Sequence, residues 1–202
     1  MLKKTVFFWA ILFFKLIIAS GQPQTASDPD IAKVAVYDQY LKERIVSLFF
    51  DLKDPSVEVN VPYFPTWFAY AINTNDLPKV SEALEKAHKW MLIAKQNNIQ
   101  EVSKLIPVEI TIRAYLKLDQ WIPYGEKNVV FDFIILKSDT RKYYLFQMRL
   151  ESIDEMDRTF YNPYIVVDME NYSDFKYALS MERFIREINR QKQKENSQEL
   201  FK

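Results

Sequence analysis

Apolar and polar positions divide the chain into stretches of different period. Behind a polar lead, Asp28-Pro29 offers a helix cap with proline at the first helical position, and Ile31, Val34, Leu41, Ile45, Leu48 and Leu52 follow at near-helical spacing up to Asp54-Pro55. This spacing predicts one long amphipathic helix over about 29–52. The run VEVNV (57–61) alternates and reads as a short strand that ends at Pro62. The stretch from Pro62 to Asp76 fits a helix opened by Pro65 or a strand in which Trp67, Ala69 and Ala71 oppose Phe68, Tyr70 and Ile72. Asp76 caps a second helix over about 77–97, with Val80, Ala83, Leu84, Ala87, Met91 and Ala94 as its stripe. A helical turn up to Leu105 is expected to follow, bounded by Pro107.

From Pro107 the period becomes two. Val108, Ile110, Ile112, Ala114, Leu116 and Leu118 share one face of a long strand, and Glu109, Thr111, Arg113, Tyr115 and Lys117 share the other. IPYGEKN is read as a turn into NVVFDFIILK, and KSDTRK as a turn into YYLFQMRLE; a polar loop (152–163) then precedes a fourth strand over 164–169. Ser173 caps a last helix carrying Phe175, Leu179, Ile185 and Ile188, and the residues from Gln191 onward form a polar tail. The order predicts an α+β domain, an antiparallel meander of three to four long strands packed against two or three helices. That arrangement is similar to the cone-like NTF2-like and cystatin-like domains, a resemblance of topology over about 29–170 that carries no residue role.

The first 21 residues change the picture of where this domain works. Lys3 and Lys4 precede an apolar run, Thr5 to Phe14, and Ala19-Ser20-Gly21 supplies small residues before Gln22. This is the layout of a secretory signal peptide; the apolar stretch is short for a spanning helix and Lys15 interrupts it. An uncleaved anchor would export the same domain. The expected organisation is a signal peptide (1–21), one α+β domain (22–190) and a polar tail (191–202). The chain has no cysteine, which for an exported protein favours a bacterial periplasm or the medium over eukaryotic secretion.

Composition narrows the chemistry. The 27 basic and 27 acidic residues balance without any concentrated basic block, so nucleic acid is not an expected partner. Two glycines in 202 residues leave no phosphate-cradling loop, and a single histidine without cysteine leaves no Cys/His metal site; no cofactor is expected. The acids of DEMD (154–157) and DMENYSD (168–174) lack the glycine and oxygen spacing of a calcium loop.

Two residues are weak catalytic candidates. His88 sits beside the second helix's stripe, where a boundary histidine with one hydrogen bond is the plainer reading. Asp132, a carboxylate inside VVFDFIIL, needs Arg113 or Arg149 as a partner if it is buried, and otherwise makes a cross-strand pair on the solvated face. The aromatic stretches YFPTWFAY and FYNPY point to recognition or to plugs at the sheet ends. Tyr63, Trp67, Tyr70, Tyr115 and Tyr161, with Arg113 and Arg149, are the candidate contacts for a ligand or partner. The expected function is an exported, non-catalytic domain that binds an envelope or extracellular protein or a small ligand. The alternative is a carboxylate-based hydrolase or isomerase with its pocket between sheet and helices.

Overall fold

The computed structural model describes residues 33–37, 43–51, 53–63, 66–117, 121–138, 140–151 and 164–199. Eight strands, β1 (Lys33–Tyr37), β2 (Glu43–Asp51), β3 (Ser56–Tyr63), β4 (Thr66–Asn73), β5 (Val102–Lys117), β6 (Trp121–Lys137), β7 (Lys142–Leu150) and β8 (Tyr164–Asp168), pair antiparallel in chain order. Tyr37 pairs with Val166, so β1 meets β8 and the sheet closes into a barrel. Three helices complete the α+β fold: α1 (Leu77–Gln96) between β4 and β5, then α2 (Tyr172–Ala178) and α3 (Met181–Glu199) after β8. None of the described helices is long and apolar enough to cross a membrane.

The expected meander of three to four strands is therefore too small, and the likeness to cone-like NTF2-like and cystatin-like domains falls with it. The segment read as a helix over 29–52 supplies β1 and β2. Its true period is two: Val46, Leu48 and Phe50 are buried, while Ile45, Ser47 and Phe49 face the other way. β-branched and aromatic side chains suit a pleated surface, and pairing with β3 from Ser47↔Asn60 to Asp51↔Ser56 fixes the register. The undecided stretch is strand β4, with Phe68, Tyr70 and Ile72 on its inward face. The turn expected before Leu105 is the start of β5.

IPYGEKN lies inside β6 instead of turning the chain. Between Ala114↔Gly125 and Tyr115↔Pro123 the register slips by one residue, a bulge, and Gly125 takes φ +89° there. Glycine reaches that conformation without strain. The expected final helix is split: α2 ends at Ala178, and Ser180, whose hydroxyl accepts the amide of Arg183, restarts the chain as α3. The helix runs on through the polar residues to Glu199.

α1 matches its expected span, and its buried positions, Leu77, Val80, Ala83, Leu84, Ala87, Met91 and Ala94, include the whole expected stripe. They belong to one core with inward residues from every strand, among them Val59, Ile112, Phe131, Phe146 and Val167. Trp90 meets Phe133 edge-on at 6.1 Å, and Phe131 stacks on Phe146 at 5.5 Å. The sheet thus curls around the helix, and Phe184 of α3 reaches Phe50 on the same inward side at 6.2 Å. Lys176 on Glu85 (2.6 Å) and the stack of His88 on Tyr172 (4.4 Å) tie α2 to α1.

Two substitutions separate core packing from backbone geometry. Leu84→Ala removes a fully buried side chain against the barrel wall, and we expect a loss of about 3 kcal/mol in urea unfolding. Gly125→Ala meets nothing within 4 Å but forces an L residue to positive φ; its expected loss is smaller, about 1 kcal/mol.

Candidate functional site

Alternation puts every second side chain of each strand on the outside of the barrel, where polar residues ordinarily meet water. On β3 they do not. Ser56, Glu58 and Asn60 point outward at successive positions, yet they are only 2%, 7% and 5% exposed. Register explains which residues surround them. Glu58 lies between Phe49 of β2 and Ala71 of β4, and the row continues through Arg113 of β5 to Glu126 of β6. Asn60 lies between Ser47 and Ala69, with Tyr115 beyond. Ser56 lies between Asp51 and Asn73.

The small side chains of Ala69 and Ala71 are themselves buried, so this part of the outer surface is low and lined by taller neighbours. Burial pushes the Glu58 pKa from 4.5 up to about 7; the charge of Asp51 works in the same direction, and the Asn60 side-chain hydrogen bond and Arg113 oppose it. Oε1 of Glu58 and Oδ1 of Asn60 have no hydrogen-bond partner. Arg113 itself makes an ion pair with Asp54, in the turn between β2 and β3.

One strand further on, a cleft of about 410 Å³ opens at Ala71, Asn73, Asn75, Asp76, Thr111, Ile112, Arg113 and Glu126. It lies where β4 passes through the 3-10 turn Thr74–Asp76 into α1. Local bonds hold its walls: Asn73 Oδ1 accepts the amide of Asn75 at 2.9 Å, Asp76 pairs with Lys79 at 2.8 Å, and the Thr111 hydroxyl bonds Asn128 Oδ1 at 3.0 Å. The lining offers a guanidinium, two carboxylates, two amides and a hydroxyl, a set suited to a polar ligand with both donors and acceptors.

The residues singled out from the sequence fall in several places. Arg113 lines this cleft, and Tyr115 stands half-buried on the same outward face beside Ala69. Tyr63 ends β3 opposite Thr66, and Trp67 follows in β4 opposite Pro62, so both belong to the β3–β4 hairpin. Tyr70 is buried in the inward core. Tyr161 lies outside the described residues, as do the proposed leader and the acids Asp154, Glu155 and Asp157. Asp132 and Arg149 meet each other: Arg149 Nε donates to Asp132 Oδ2 at 2.7 Å on the outward face of β6 and β7, away from α1. His88 is half-buried and stacks on Tyr172. Asp168 caps the 3-10 turn Met169–Asn171 and pairs with Arg141. Among the described residues no cluster of His, Cys, Asp or Glu has the geometry to hold a metal ion.

Glu58 and Asn60 escape sequence reading because a polar residue alternating with valines is the ordinary mark of a solvated face. The signal that singles them out is the pair of alanines opposite, and it becomes visible only once β3 is registered against β4. Comparison with protein families, curated proteins and solved structures finds no match for this chain.

Burial of Glu58 has a measurable consequence. Its pKa is about 4.5 in the unfolded chain and about 7 in the fold, so its contribution is fully present below pH 4.5, is lost as pH rises toward 7, and changes no further above that. The 2.5-unit difference corresponds to about 3 kcal/mol of stability lost over that window. Glu58→Gln is expected to remove that slope and to unfold at higher urea than the unmutated protein at about pH 8, read from unfolding midpoints at a series of pH values.

Proposed function

We propose that the protein is an exported, non-catalytic binding domain that holds a small polar ligand, or the polar tip of a partner protein, in the cleft beside Arg113 and Glu126. The observation that carries this reading is the cleft itself. A polar concavity of about 410 Å³, lined by opposite charges and by an Asn73 amide held by the Asn75 N–H, sits on the barrel where β4 leads into α1. Fixed donors and acceptors reduce the ordering needed on binding. Export rests on the leader-like layout of residues 1–21, and the absence of cysteine bears only on the compartment, favouring a bacterial periplasm or medium.

The alternative, a carboxylate-based hydrolase or isomerase with a pocket between sheet and helices, has less support. Core side chains fill that space, and Asp132 faces the other way with its charge neutralised by Arg149. Glu58 titrates near neutrality, as a general acid or base would, but its Oε1 has no solvent contact.

Amide chemical shifts, followed while mixtures of amino acids and monosaccharides are added, test the binding reading. We expect saturable shifts confined to Ala71, Asn73, Thr111, Arg113 and Glu126, abolished in Arg113→Ala/Glu126→Ala with the fold intact. No saturable shift at these residues with any compound would contradict it. Export has its own test: protein recovered from the periplasm or medium of a bacterial host should begin at Gln22, and a chain retained in the cytoplasm with Met1 would refute that part.

A further inference from the structure

The two unpartnered oxygens on β3 belong to neighbouring side chains of one face, and each accounts for the other. An ionised Glu58 carries only acceptors, and Asn60 brings one amino group and one more acceptor. With the carboxylate ionised, the Asn60 amino group can serve Glu58, but nothing in Glu58 can serve Asn60 Oδ1. Turning the amide over does not change this count. Both oxygens are buried, so neither deficit is made up by solvent. A single proton on Glu58 Oε1 removes both deficits together.

We propose that Glu58 and Asn60 form a reciprocal acid–amide pair, in which the Glu58 Oε1 hydroxyl donates to Asn60 Oδ1 and the Asn60 amino group donates to the second oxygen of Glu58. The surroundings favour the neutral form. The direct neighbours of Glu58 across the sheet are Phe49 and Ala71, which cannot compensate a charge. Asp51 on β2, Asp54 in the following turn and Glu126 on β6 add negative charge nearby, and the guanidinium of Arg113 in the same cross-strand row is engaged by Asp54. The pair is a proton-sensitive element on the outer wall of the barrel, and it stands whether or not the cleft holds a ligand. It also adjoins that cleft through Ala71, so loss of the proton places a negative charge beside the wall that Arg113 lines.

A double-mutant cycle with Glu58→Leu and Asn60→Leu, read by urea unfolding at about pH 5.5 and about pH 8.5, tests the pair because the two possible roles of Asn60 have opposite pH dependence. In the acid–amide pair the coupling is strong at the lower pH, roughly tenfold in the unfolding constant, and weakens at the higher. If Asn60 serves only the carboxylate, the coupling is absent at the lower pH or grows as pH rises, and the proposal is overturned. Should either variant fail to fold, the unmutated protein gives the answer through its carboxyl carbon resonances. A side chain assigned to Glu58 that titrates near pH 7 supports the pair, and one that titrates below about 5 refutes it.

Discussion

Closure of the sheet around α1 is the constraint from which the other features follow. A helix whose buried face runs from Leu77 to Ala94 needs apolar partners along its length; inward residues of β5, β6 and β7 pack against it and join it to the core that all eight strands share. Each strand therefore commits one face to the core, from Val36 on β1 to Val167 on β8. The bulge at Gly125 lets one long strand adjust its register within the closed sheet. With no disulfide in the chain, burial of this core, with a smaller cluster around Leu145 and Val166 on the outer side of β7 and β8, is the dominant source of stability.

What the inward face fixes, the outward face is left to vary, and it departs from the usual polar exterior at β3 and β4. Ala69 and Ala71 lower the surface there, Glu58 and Asn60 sink into the depression, and Arg113 and Glu126 stand at its edge. A buried carboxyl away from the core is a destabilising feature at neutral pH, since ionisation is opposed by desolvation and by Asp51. Its position beside a polar cleft is why this face, and not the Asp132–Arg149 pair, is the candidate site.

Parts of this arrangement are legible in the sequence. The stripe of α1 and the period-two runs of β5 and β7 are strong because one face of each is consistently apolar. β1 and β2 are misread because Ile31, Val34, Leu41, Ile45 and Leu48 mimic a helical stripe, while the alternation Val46, Leu48, Phe50 within the same residues gains its meaning from pairing with β3. For a buried Asp132 the sequence offers Arg113 or Arg149 on neighbouring strands as partner, and the pairing is with Arg149. Glu58 is not legible in the sequence because its burial is a property of four strands together and of no local pattern.

The claim on which this account of the outward face turns is that Glu58 is a neutral acid bonded to Asn60. Neutron diffraction from perdeuterated crystals grown at about pH 6 tests it most directly, since deuterons are seen and not inferred. The account predicts nuclear density for a deuteron on Glu58 Oε1, directed at Asn60 Oδ1, with the Asn60 amino group directed at the other carboxyl oxygen. A bare carboxylate whose Oε1 meets a water or a protein N–D group would contradict it.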